Sequence, residues 1–151
     1  MDFSRYFVKF WSPFSDDEAQ HSALRFNPSD EPLFQHQWHL RNTGQTGGPT
    51  GIDINVVGAW ADYAGAGVTI GIWDDGVEYD HPDLASTYDP TLHIPLDNGT
   101  VHDPYPENRA SRHGTAVAGV IAAAANGEGV VGVAHGARFA GVDIFEDPAL
   151  R

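Results

Sequence analysis

The chain contains no cysteine, which excludes a disulfide framework and any thiolate metal site. Positive charge is also scarce: 8 Lys and Arg stand against 21 Asp and Glu, for a formal net charge of -13 at pH 7. This balance argues against nucleic acid or an anionic membrane surface as a partner and suits cations or basic peptides, although acidity of this kind also serves simply to keep a protein in solution. Long apolar runs are missing as well. No stretch approaches the roughly 20 apolar residues of a membrane-crossing helix, so no membrane span is expected. The opening, Met1 to Phe14, carries Phe3, Tyr6, Phe7, Val8, Phe10 and Trp11, but Arg5, Lys9, Ser12 and Pro13 interrupt it. It lacks the unbroken apolar core and small-residue cleavage site of a recognisable signal peptide, so export, if it occurs, is expected by another route.

What is present suffices for one domain. At 151 residues the chain can bury a real core and is too short for two domains of ordinary size. Residues 1–30 are polar and irregular after the aromatic opening and read as an extension or leader, and the globular unit, 31–151, begins near Glu31. The run LFQHQWHL (33–40) precedes a Gly-rich loop, NTGQTGGPTG (42–51). Ile54, Val57, Trp60 and Ala61 recur at helical spacing and predict a short helix over 53–63. VTIGIW (68–73) is a compact apolar run between Gly67 and Asp74-Asp75-Gly76, the pattern of a parallel strand buried on both faces. The proline-rich polar stretch 78–112 is expected to be mostly loop. Ala-rich residues 113–126 predict a helix and RFAGVDIF (138–145) a second strand. Strand, loop, helix and strand in this order make a βαβ unit, and with it an α/β fold containing a parallel sheet.

Ligands of open parallel sheets bind at the carboxyl ends of the strands, where Asp74 stands. His113 opens the Ala-rich helix, and Gly114-Thr115 behind it permit close approach of a neighbouring segment. An Asp that orients a His, with the His acting as general base toward a nucleophile, is the logic of a catalytic triad. Taken singly, each residue has a plainer use: Asp-Gly pairs shape turns, and a His before Gly begins a helix.

Together, the segments GVTIGIWDDGVEYDHPDL (67–84) and RHGTAVAGVIAAAANGEGVVGVA (112–134) resemble the subtilisin-like serine proteases, peptidase family S8. The Asp-Asp-Gly form resembles the kexin and furin-like branch, and EPLFQHQWHLRNTGQ (31–45) is similar to the start of that branch's catalytic domain. The resemblance covers about residues 31–145. It implies a subtilisin-like three-layer α/β fold with a mostly parallel sheet, present here as its N-terminal part and therefore incomplete. It further implies a serine-type endopeptidase that cleaves polypeptides through an acyl-enzyme, in an extracellular or secreted setting. In the family's chain order of Asp, His and Ser, Asp74 matches the orienting acid and His113 the general base.

The match also has departures. Serines stand at positions 4, 12, 15, 22, 29, 86 and 111, none of them after His113, whereas the family's nucleophile and its oxyanion-hole Asn both lie downstream of the His. The chain alone is therefore expected to be inactive, with the missing C-terminal part of the catalytic domain as its natural partner. Asp75 resembles the acid with which kexin-like members meet a basic side chain of the substrate, but Ala110 stands where the family has a second acid of that pocket. The resemblance also implies a structural Ca2+ ion held by Ala124, Asn126, Glu128 and Val130 of the loop after the helix, by the Asp83 carboxylate and by Asp53 as a further oxygen donor. The same NGEG segment has an alternative use as a glycine helix cap and loop. A non-catalytic pseudoprotease or a calcium-binding module is the alternative to the enzyme.

Overall fold

The computed structural model describes residues 26–96, 99–108 and 110–145; most of the expected extension, 1–25, lies outside the described residues. Three regular elements carry the architecture: strand β1, Thr69–Asp74, helix α1, His113–Ala122, and strand β2, Arg138–Asp143. Single turns of 3-10 helix at Pro28–Asp30, Phe34–His36, Ala59–Ala61 and Pro90–Leu92 punctuate the connections.

β1 and β2 pair in parallel, with Thr69 opposite Arg138 and Asp74 opposite Asp143, so both strands present their carboxyl ends on the same side. Parallel neighbours need a crossover connection, and α1 lies within it. The other edge of β2 is not bare. Phe139 donates its N–H to Thr87, and Asp89 donates its own to Phe139, so the segment around Tyr88 runs beside the strand as a short third rung.

The core forms where these elements meet. Ile72 of β1, Phe139 of β2, Ala118 and Ala122 of α1, and Val77, Leu84, Tyr88 and Ala123 make one buried cluster. Residues that α1 buries are all small, Gly114, Ala118 and Ala122, which lets the helix lie close against the sheet. Fully burying a side chain such as Phe139 or Leu84 contributes about 1.5–3 kcal/mol, so this cluster fixes the strand-helix geometry on which the strand ends depend. A second cluster of Phe34, Leu40, Trp60 and Val131 ties the first part of the chain to the segment after α1. Two polar groups lock it: Trp60 Nε1 donates to Val133 O at 2.9 Å, and the buried Gln37 amide both donates to Val131 O and accepts from Val131 N. Phe26 already packs edge-on against Trp60.

The sheet, the connecting helix and the loop character of 78–112 follow the sequence reading, with three local differences. First, β1 is not buried on both faces: Thr69, Gly71 and Trp73 face outward, and the Trp73 ring lies back over Gly71, where a β-carbon would collide with it. Second, α1 ends at Ala122 although the alanine run continues to Ala125, because tertiary partners take up the helix's last carbonyls. Gly132, Val133 and Ala134 donate their N–H groups to Ala123, Val120 and Ile121, while Thr87 Oγ1 donates to Ala122 O at 2.8 Å. Third, the expected helix over 53–63 is a single 3-10 turn at Ala59–Ala61. Its amino-terminal half is held otherwise: Asp53 Oδ1 accepts from Asn55 N, and Asn55 has a left-handed φ of 53°.

Candidate active site

Asp74 is the last residue of β1, and its carbonyl accepts the N–H of Ile144 at 3.0 Å, which anchors it to the end of β2. The chain then turns sharply through Asp75 and Gly76. Gly76 has a φ of 90°, and a β-carbon there would stand 2.9 Å from Pro104 O, so the turn needs glycine on both counts. Val77 N then donates to Pro104 O at 2.8 Å and ties the end of the turn to the segment around Pro104.

His113, the first residue of α1, points its imidazole back at this turn. Its Nδ1 lies 2.8 Å from both Oδ1 and Oδ2 of Asp74. A carboxylate can only accept, so Nδ1 carries the hydrogen and the neutral ring presents Nε2 as a free base. The Asp74 side chain is 16% exposed and that of His113 75%, which places a sheltered acid behind an outward-facing imidazole. The Asp74 hydrogen bond and charge raise the His113 pKa above its ordinary value, with a smaller push from the charge of Asp75. Burial pushes the Asp74 pKa upward, but the N–H of Asp75 and the His113 ring outweigh it and hold the carboxyl below its usual range. The pair is thus built to keep an ionised carboxylate beside a ring that can accept a proton.

Close approach of α1 to the turn rests on Gly114, where a β-carbon would come within 2.2 Å of Gly76 O and 2.9 Å of Asp74 Cβ. On the next residue, Thr115 Oγ1 accepts from Glu78 N at 3.0 Å. Strand end, turn and helix start are therefore joined at consecutive positions.

A model of the subtilase family matches residues 65–151, which include both the strand-end acid and the helix-start histidine. The chain belongs to the subtilase family. It is 46% identical over 128 residues to neuroendocrine convertase 2 of Bos taurus and 45% identical to that of Homo sapiens. A PC3-like endoprotease of Hydra vulgaris is 42% identical over 125 residues. Each match takes in 80% of this chain but only 17–20% of the relative, so the chain spans about a fifth of the length of these proteins. Among solved structures, the serine protease of Aeromonas sobria superposes with a TM-score of 0.72 at 33% identity, over 94% of this chain and 24% of that one. The same protease in complex with the chaperone ORF2 gives 0.70 at 36% identity, over 80% of this chain and 21% of that one.

The two residues that the sequence pointed to as an orienting acid and a general base, Asp74 and His113, are in direct contact. Asp75 stands beside them, but its two oxygens already accept main-chain N–H groups, from His113 at 3.1 Å and Gly114 at 2.6 Å. The expected calcium residues are only partly gathered. Asp83 is 5% exposed and accepts from Val130 N at 3.0 Å, while its own carbonyl accepts from Ala124 N, so this carboxylate sits against the 124–130 loop. Asn126 lies there too: its amide donates to Pro82 O and its Oδ1 accepts from Glu128 N. Asp53 is engaged elsewhere, with Oδ2 accepting from Asn42 N at 2.7 Å and Oδ1 from Asn55 N at 2.8 Å.

An acid missed in the sequence faces the loop instead. Glu31 is 2% exposed; its Oε1 accepts from Gly127 N at 2.9 Å, and its Oε2 is buried without a hydrogen-bond partner. Burying half of a carboxylate unpaired costs free energy, and a hard cation is the ordinary remedy. The donor set therefore fits calcium in chemistry: two buried carboxylates flank one loop rich in carbonyls. Among the described residues no three or more His, Asp or Glu side chains gather into a metal group, so such an ion would depend on main-chain oxygens. The only sequence signal for Glu31 was its place before Pro32 at the start of the matched segment, where it marked a boundary. Among the described residues no helix is long and apolar enough to cross a membrane.

Proposed function

We propose that this chain supplies the acid-base half of a subtilisin-like serine endopeptidase acting on polypeptides, in a secreted or secretory-pathway setting. The observation that carries the reading is the contact of His113 Nδ1 with both oxygens of Asp74 at 2.8 Å, at the carboxyl end of a parallel strand. Asp74 holds the ring in the tautomer that leaves Nε2 free to take a proton from a serine hydroxyl and later to hand it to the leaving amine. No serine follows His113 in this sequence, so the nucleophile has to come from sequence outside it, and the chain by itself should not form an acyl-enzyme. Under the same reading, Glu31 and Asp83, with Asn126 and the carbonyls of Ala124, Glu128 and Val130, hold a calcium ion. The ion's contribution is structural: it neutralises two buried carboxylates and pins the loop after α1. A basic substrate side chain at Asp75 would have to share oxygens that the helix already uses.

The test is a chimera in which residues 31–145 replace the matching segment of human neuroendocrine convertase 2. A serine-directed fluorophosphonate should label it covalently, and His113→Ala should abolish labelling. A chimera that retains the parent's circular dichroism yet is never labelled would favour a non-catalytic module.

A further inference from the structure

We propose that Asp75 is a positioning residue for the Asp74–His113 pair, holding the start of α1 so that the imidazole meets the neighbouring carboxylate. The inference rests on the proposed acid-base role of that pair. The first N–H groups of a helix have no partner within the helix, and a side-chain acceptor at the N-cap position normally satisfies one of them. In α1 the N-cap residue, Arg112, makes no such side-chain bond. Asp75 does the work from another part of the chain, 38 and 39 residues away: Oδ2 accepts from His113 N at 3.1 Å and Oδ1 from Gly114 N at 2.6 Å. A negative carboxylate at this end also suits the helix dipole.

The consequence for the imidazole is geometric. Asp74 and Asp75 are adjacent, and Asp74 Oδ1 itself accepts from Asp75 N at 2.8 Å, so one turn carries both the acid that grips the ring and the acid that grips the ring's own backbone. The absence of a β-carbon at Gly114 allows Asp75 to reach the second amide, since a β-carbon would lie 3.2 Å from its Oδ1. With the main-chain N of His113 fixed by Asp75 and its Nδ1 by Asp74, the residue is held at two points, one on the backbone and one on the ring, although the ring is exposed.

Asp75→Asn and Asp75→Ala separate position from charge, because both remove the same negative charge while Asn keeps one capping oxygen, for one of the two amides, and Ala keeps none. The experiment is an NMR titration of the 151-residue chain, following the His113 ring nitrogens and the amide protons of His113 and Gly114 in wild type, D74N, D75N and D75A. In wild type, both amide protons should follow protonation of a carboxylate, and His113 should titrate above the ordinary histidine value. D75N should keep the Nδ1–H tautomer, whereas D75A should show mixed tautomers and a lower His113 pKa than D75N. Equal tautomer and pKa in folded D75A and D75N would overturn the proposal. Should D75A fail to fold, the wild-type amides decide, and amides indifferent to carboxylate protonation contradict it. If His113 titrates alike in wild type and D74N while the amides still follow a carboxylate, the pair is refuted and the Asp75 contact stands.

Discussion

His113 Nδ1 and the Asp74 carboxylate meet at 2.8 Å although the residues are 39 apart in sequence, one ending a strand and the other beginning a helix. Side chains bonded to main-chain N–H groups hold this relationship: Asp75 accepts from His113 and Gly114, and Thr115 Oγ1 accepts from Glu78. Because α1 also packs against the turn through Gly114, Gly114→Ala is expected to break it while leaving the carboxylate and the imidazole themselves chemically unchanged. Its β-carbon would meet Gly76 O at 2.2 Å, and that atom belongs to a turn that cannot move freely. Overpacking of this kind costs about 1–3 kcal/mol. Urea unfolding should show that loss, and the His113 pKa should fall toward its ordinary value in the same variant.

The pH dependence of stability near neutrality should be governed by two histidines shielded from solvent, the buried His135 and the half-buried His39. His135 packs edge-on against Trp60 and tilted against Phe26, its Nε2 is buried without a partner, and burial lowers its pKa; partial burial also lowers that of His39. A depressed histidine binds its proton more readily in the unfolded chain, so the stability it confers is complete above an unfolded pKa of about 6.5 and is lost as pH falls below it. His113 acts with the opposite sign, since its raised pKa gives stability below about 6.5 that is lost as pH rises through the folded value. Its ring is open to solvent, which screens that effect and leaves His135 and His39 dominant. His135→Phe keeps the aromatic packing and removes the titration. Urea midpoints at pH 7.5 and pH 5 should lie closer together in that variant than in wild type; an unchanged gap would show that His135 does not drive acid unfolding.

Calcium should raise the melting temperature if Glu31 and Asp83 hold it. Binding to the folded state alone adds RT ln(1 + [L]/Kd), about 2.7 kcal/mol at a hundredfold excess of ion over Kd. Glu31→Gln and Asp83→Asn should each reduce the gain, while Asp53→Asn should leave it in place because its oxygens serve the 42–55 loop. Melting curves with calcium and with chelator check this, and curves that coincide in wild type count against the ion.

Much of this arrangement is legible in the sequence because it depends on short-range patterns. The apolar run ending at Asp74-Asp75-Gly76 gave the strand and its turn, and His113 before an alanine run gave the helix start. What was not legible depends on distant partners. The helix stops at Ala122 because residues 132–134 claim its carbonyls, which alanine propensity does not register. The 53–63 segment has helical spacing, yet the Asp53 side chain captures Asn55 N and Asn42 N and fixes a turn. Glu31 reads as a boundary residue until its carboxylate is seen against Gly127. Asp75 reads as a pocket acid until both oxygens are found on the amides of α1.

The central claim is that Asp74 and His113 act as the acid-base pair of a peptide-cleaving site, and kcat/KM of the convertase chimera carrying residues 31–145, measured on a peptide substrate, tests it most directly. The account predicts a rate that rises with pH through one ionisation, as the His113 base is uncovered. His113→Ala should lower kcat on the order of 10^6-fold, the scale known when a subtilisin loses its histidine, and Asp74→Ala roughly 10^4-fold. Activity that survives His113→Ala within tenfold would contradict it.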